Sequence, residues 1–374
     1  MTLSGLVGQR LASDPALATV PIAASVAGTA IAMIPASLFM GRFGRRPGFI
    51  LGTLIGAAGG TLSAAAIAAG SFVAFTLGNL LVGAYQGFAQ YYRFAAADAA
   101  GPEFKSRAIS YVLAGGAVAA IAGPEIAKWT KDLTAITYLA PYVVMVGLSL
   151  AATALLLFID IPHVRAAKSL ASGRSLAAII RQPTFVVAVS GAAVGYGVMI
   201  LAMTATPLAM VAHHHAVSDA AFVIQAHVLG MFLPSFFTGT IIQRLGVLPV
   251  MLTGLVLLGL HVAIAMSGSE LLHFISALVL LGVGWNFLYV GGTTLLTEAY
   301  SPVEKAKVQA VNDFLIFGVV VAASFSSGVL LNAVGWRGVN VVALPFLAAA
   351  AALMLWFGMR RRAPRRLAPS QPSA

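Results

Sequence analysis

The six residues Gly41–Arg46, GRFGRR, stand between two uncharged runs of 21 residues each, Val20–Met40 and Phe49–Ala69. Each run is long enough to cross the hydrocarbon core of a bilayer as a helix. Three arginines cannot rest in hydrocarbon, so the turn between the runs lies in water at one face of a membrane. Short cytoplasmic connections collect Lys and Arg, which assigns this turn to the inside.

The rest of the chain repeats the pattern. Further apolar runs fall at 72–92, 108–127, 136–158, 184–203, 220–242, 250–267, 271–294, 308–331 and 339–359, making eleven complete candidate spans. Met1–Ala12 is mildly apolar but too short to cross. It reads as the outer end of an incomplete first helix, with the expectation that the native reading frame extends upstream. With 60% hydrophobic and 9% charged residues in 374, the chain is an all-α polytopic membrane protein. Its net charge of +11 is dispersed among membrane-flanking loops, which points to lipid headgroups as partners and not to nucleic acid. No cysteine is present, so disulfides and thiolate ligands are excluded, and no cofactor or metal site is expected. The start lacks the charged and apolar regions of a removable signal peptide.

With the Arg42 turn inside, eighteen of the 22 Lys and Arg residues fall on the inner side, and Arg10, Lys128, Lys131 and Arg337 fall outside. That bias sets the topology and places the C-terminus in the cytoplasm. The sequence divides into an N-terminal bundle at 1–160, a basic cytoplasmic linker at 161–183, a C-terminal bundle at 184–359 and a basic tail at 360–374. Internal repetition supports the division. Arg42-Phe43-Gly44 with Gly52 recurs 202 residues later as Arg244-Leu245-Gly246 with Gly254, and Asp98-Ala99 with Pro102, Lys105 and Arg107 recurs 200 residues later as Glu298-Ala299 with Pro302, Lys305 and Lys307. Equivalent loops on one side of the membrane describe a parallel repeat of six helices.

GRFGRR, between a second and a third span, resembles the cytoplasmic loop signature of the major facilitator superfamily, Gly-x-x-x-Asp-Arg-x-Gly-Arg-Arg. Arg42, Gly44, Arg45 and Arg46 match, while Ser37 and Gly41 replace the first glycine and the aspartate. The resemblance implies two six-helix bundles around a central cavity, working as a single chain. It also implies that the loop arginines contact an acid at the end of the fourth helix, for which Asp98 is the match. The repeat extends that reading to Arg244 with Glu298, so a cytoplasmic gate is expected from Arg42, Gly44, Arg45, Arg46, Asp98, Arg244, Gly246 and Glu298. Gln86-Gly87 resembles part of an Arg-x-x-Gln-Gly pattern of proton-coupled exporters, with Gly83 in place of the arginine. Gly123-Pro124 resembles part of the exporter signature of the fifth helix.

Polar residues within the spans are few and are the first candidates for a site. Gln86, Gln90 and Arg93 share a helical face by spacing. Arg93 can snorkel to headgroups or serve as an anion or gate residue. Thr204, Thr206, Gln225, Trp285, Asn286, Tyr289 and Asn312 complete the expected lining of a cavity for a small, largely apolar organic solute. His227 reads as a core histidine, and His213-His214-His215 as a solvated loop. Asp313 lies about 9 Å into its helix counted from Lys307. Two roles are open to it: a proton-coupling acid, or a partner of the Arg42–Arg46 loop. The resemblance to the major facilitator superfamily implies, as the expected function, alternating-access transport across a bacterial inner membrane, coupled to protons, with efflux favoured over uptake from the Gly123-Pro124 match. A non-transporting sensor or scaffold of the same fold is the alternative, and an enzyme is not expected because no catalytic or phosphate-binding motif is present.

Overall fold

The computed structural model describes residues 2–13, 17, 20–159 and 173–362, and every regular element among them is helical. Helices are the solution the apolar runs dictate, because a segment in lipid must satisfy its backbone groups within itself. In chain order they are α1 (Thr2–Leu11), α2 (Val20–Phe43), α3 (Arg45–Ala69), α4 (Phe72–Ala89), α5 (Tyr92–Ala99), α6 (Lys105–Thr130), α7 (Leu139–Phe158), α8 (Leu176–Ile180), α9 (Pro183–Ala212), α10 (Val217–Phe232), α11 (Ser235–Leu245), α12 (Val247–Ser267), α13 (Leu271–Leu296), α14 (Lys305–Val341) and α15 (Ala343–Arg362). All eleven apolar runs lie on these helices, and α1, at ten residues, is too short to span. The linker basic residues Arg165 and Lys168 and the tail beyond Arg362 lie outside the described residues.

Two spans are broken part-way along their length. The fourth stops at Ala89 and restarts at Tyr92 as α5. The eighth stops at Phe232 and restarts at Ser235 as α11, after Pro234, whose ring and missing N–H interrupt the backbone ladder. Near its far end α14 departs from helical geometry at Gly335, where φ is 68°.

The internal repeat has a backbone counterpart. Gly44 stands at φ 100°, ψ 164° and Gly246 at φ 89°, ψ 160°, each in the tight turn that links one span to the next. Only glycine enters that region without strain, so both copies of the loop keep it.

The first half packs α4 against α2 and α3, with α7 on the outside of α3. The second packs α13 against α9, α10 and α12, with α14 on α9. The halves meet along two seams, α2 with α14 and α6 with α10 and α11. Every side-chain hydrogen bond between the halves among the described residues uses Ser37, Arg45, Gln90, Arg93, Asp98, Glu103, Ser106 or Ser110 from the first half. All eight lie toward the end of the molecule that carries the arginine loop. The protein is therefore fastened at its basic end.

Candidate functional site

The site grows from the break in the fourth span. Ending α4 at Ala89 turns Arg93, one residue into α5, toward the other half of the molecule. There its guanidinium donates to Asp313 of α14 and to the Tyr289 hydroxyl of α13, and to Gln90 Oε1 at 3.1 Å. The Tyr289 hydroxyl also donates to Gln90 Oε1 at 3.1 Å, and Asn312 Nδ2 donates to Asp313 Oδ1 at 2.7 Å. Arg93 is 2% exposed and Asp313 fully buried. A buried charge is tolerated only when it is paired and hydrogen-bonded, and each ion supplies that for the other.

Two expectations are corrected here. Arg93 does not snorkel to headgroups, because a carboxylate inside the protein claims it. Asp313 does not meet the Arg42–Arg46 loop. The arginine of that loop that turns inward, Arg45, is engaged by Gln309, one turn nearer the basic end of α14, and by Asp98.

An aromatic cluster adjoins the ion pair. The Arg93 guanidinium lies 4.5 Å from the centre of the Tyr289 ring, within cation–π range. Tyr289 stacks on Trp285 at 5.0 Å, Tyr196 of α9 stacks on both, and Phe317 and Phe232 meet this group edge-on. Trp285 and Tyr289 are each 2% exposed, whereas Tyr196 and Phe232 are only partly buried. Trp285 Nε1, Arg93 Nε and Asp313 Oδ2 are buried with no hydrogen-bond partner. Sequence reasoning missed Tyr196, Phe232 and Phe317. Each sits alone in an apolar run, and its ring partners come from other helices.

At the basic end Asp98 pairs with Arg45 of its own half at 3.3 Å and with Lys305 of the other half at 2.8 Å. Ser37 Oγ donates to the Ala306 carbonyl at 2.7 Å, and a Cβ on Gly41 would fall 2.8 Å from that of Ala306. A side chain at position 41 would thus wedge α2 from α14, which is a physical reason for glycine where the family signature has aspartate. Arg46 donates to the Leu157 carbonyl, and Arg42 is exposed beside Phe43. The expected second clasp is corrected: Glu298 pairs with Arg361 at the end of α15, and Arg244 points outward two residues before Gly246.

Other expected lining residues separate. Gln86 faces a cavity of about 300 Å³ within the first half, together with Asn79 and Tyr142. Thr204 and Gln225 are exposed, so they remain available to solute or lipid. Thr206 is corrected to a packing residue, fully buried and donating to the Ala202 carbonyl at 2.8 Å. Asn286 is likewise corrected. Fully buried, it donates to the Met231 carbonyl and to Ser235 Oγ and accepts from Thr238 Oγ1, tying together both sides of the break in the eighth span.

The profile of the Major Facilitator Superfamily matches residues 1–206 and again 187–373. The chain belongs to the major facilitator superfamily. Among its relatives is the riboflavin transporter RfnT of Brucella anthropi, 44% identical over 351 residues, covering 93% of this chain and 88% of that one. An uncharacterised MFS-type transporter of Bacillus subtilis, YddS, is 32% identical over 84% of this chain and 77% of its own. A crystal structure of the Escherichia coli fucose:proton symporter FucP superposes with a TM-score of 0.77 at 15% identity, covering 95% of this chain and 93% of that one, a likeness of fold. This superfamily member is a multi-pass membrane transporter of a small solute and not an enzyme.

Proposed function

We propose that the protein carries riboflavin, or a flavin-like planar heteroaromatic solute, across the bacterial cytoplasmic membrane by alternating access, and that Asp313 couples the movement to protons. The observation that carries the reading is the stacked Tyr196–Trp285–Tyr289 cluster lying against a buried ion pair that joins the two halves. Aromatic faces offer a tricyclic ring dispersion and stacking, and partnerless polar atoms beside them offer the few directed bonds that fix its orientation. The 44% identity to a protein named as a riboflavin transporter supports the same substrate class.

The geometry of the pair supports the proposal of proton coupling. Arg93 and Asp313 come from opposite halves, so a proton on Asp313 removes the charge that holds Arg93 and weakens the link between them. The basic end is the cytoplasmic one in this reading, with the C-terminus inside. The loop cluster of Arg45, Asp98, Lys305 and Gln309 then forms the cytoplasmic gate, closed here, and the protein loads from outside. We take this conformation as the loading state of an uptake cycle; the contrary expectation of efflux rested on Gly123-Pro124, and Gly123 lines the first-half cavity that Gln86 faces. Both halves of the site come from one chain, so a monomer suffices.

A riboflavin auxotroph supplied with limiting riboflavin tests the reading. Expression of this chain is expected to restore growth, and Trp285→Ala to abolish the rescue at equal membrane abundance. Equal growth with and without the protein contradicts the substrate assignment.

A further inference from the structure

Of the rings around Trp285, Phe232 alone sits at the end of a helix. It is the last residue of α10, directly before the Leu233-Pro234 break. Its ring meets Trp285 edge-on at 5.7 Å and also reaches the opposite half of the protein: a Cβ on Gly116 of α6 would lie 2.5 Å from the Phe232 ring. The ring is seated on a bare glycine backbone. Tyr196, the other partly buried ring, lies in the unbroken middle of α9 and has no comparable freedom.

We propose that Phe232 is the positioning residue that reports an occupied aromatic site to the cytoplasmic seam. The proposal rests on the reading of a planar aromatic solute. A ring that reaches Trp285 along the edge Phe232 occupies displaces Phe232, whereas Tyr196 and Tyr289, stacked on each other at 5.3 Å, brace the indole from another side. Displacement lifts Phe232 from Gly116 and moves the end of α10. The movement passes to Ser235 across the break, since Asn286 Nδ2 binds the Met231 carbonyl on one side at 2.7 Å and Ser235 Oγ on the other at 2.5 Å. Ser235 is part of the cytoplasmic fastening. Its carbonyl accepts from Ser110 Oγ on α6, which in turn accepts from the Gly239 amide at 3.0 Å, and Ser106 Oγ donates to the Gly239 carbonyl at 3.0 Å. One continuous set of contacts therefore runs from the aromatic site to the seam that closes the inside. A solute too small to reach Trp285 leaves Phe232 on Gly116 and the seam shut, so Phe232 sets specificity through the conformational step.

The test uses the absence of cysteine from the chain. Ser106→Cys, at 6% exposure, places one thiol at the closed seam of the full-length protein in nanodiscs. Riboflavin binding is read by quenching of its fluorescence, and seam opening by the rate of thiol alkylation. With Phe232 present, riboflavin is expected to quench and to raise alkylation several-fold. With Phe232→Ala, quenching is expected to persist while the rise disappears. Without any ligand, Gly116→Ala is expected to push Phe232 aside and raise alkylation several-fold, and adding Phe232→Ala to it to restore the original rate. The same ligand-driven rise in Phe232→Ala, loss of quenching in that variant, or an unchanged rate in Gly116→Ala overturns the proposal. Failure of riboflavin to quench the parent protein overturns the substrate reading instead, and the ligand-free Gly116 arm still decides the role of Phe232. Alanine in place of a helical glycine favours the helix, and Phe232→Leu serves as the better-packed second variant.

Discussion

In the proposed mechanism the proton and its release act on the Asp313–Arg93 pair. Removing one partner of a fully buried pair strands the other charge, at a cost of about 3–5 kcal/mol. Arg93→Ala and Asp313→Ala are therefore each expected to lower thermal stability, with the double substitution less harmful than the sum, and a double-mutant cycle on melting temperature measures the coupling. Asp313→Asn keeps a group of the same shape that can still accept from Arg93 but cannot carry the proton. It is expected to retain riboflavin exchange between compartments while losing gradient-driven accumulation; accumulation at the parent rate removes Asp313 from coupling. The paired glycines make a second prediction at this scale. Gly44→Ala and Gly246→Ala each place a Cβ where φ is 100° or 89°, so each is expected to destabilise by about 1–2 kcal/mol, whereas alanine at the helical Gly115 is not. Asp313 stood out in the sequence because a carboxylate inside a span is rare, and Arg93 because it shares a face with Gln86 and Gln90. Their pairing did not, because a separation of 220 residues carries no local signal of contact.

At the scale of elements, the spans were legible because lipid forces apolar stretches into helices, while the breaks were not. Leu233-Pro234 lies in an apolar run, and the reason it is tolerated is the cross-helix bonding of Asn286, a residue whose sequence context suggested a solute ligand. The repeat revealed the Gly44 and Gly246 turns but misled on Glu298, since the end of α15 brings Arg361 to it and the repeat contains no counterpart of that contact. The linker shows a further device. Arg174 Nε and Nη2 donate to Glu304 at 2.9 and 2.7 Å, and the backbone amides of Arg174 and Ser301 donate to the same carboxylate. The bonds from Arg174 chiefly hold the Glu304 carboxyl below the usual carboxylate range. A depressed folded-state value means that the contribution is fully present above the unfolded pKa, about 4.3, and is lost only as pH falls through the lower folded value. Hydrogen exchange of residues 173–182 is therefore expected to show protection that, after correction for intrinsic exchange rates, is constant from about pH 5 to 8. Arg174→Ala is expected to reduce it throughout that window; protection that fades across the same window in the parent protein contradicts the assignment.

Over the whole molecule, the polar bonds between the two halves among the described residues gather toward the basic end, and the fully buried Arg93–Asp313 pair is the innermost of them along α14. Such a body changes access by exchanging one set of seams for another, and a balance of a few kcal/mol between the two states is enough for a solute or a proton to tip it. Composition showed that the chain crosses a membrane, and the arginine loop carried a resemblance to the family that the family profile then showed. The solute could not be read in this way, because the rings proposed to bind it converge from α9, α13 and α14 only after folding. The central claim is proton-coupled carriage of a flavin. Its most direct test is uptake of labelled riboflavin by proteoliposomes containing the purified protein, with the interior made alkaline. The account predicts accumulation above the external concentration that collapses with a protonophore and is absent with Asp313→Asn. Failure of correctly inserted, folded protein to accumulate riboflavin under this gradient contradicts it.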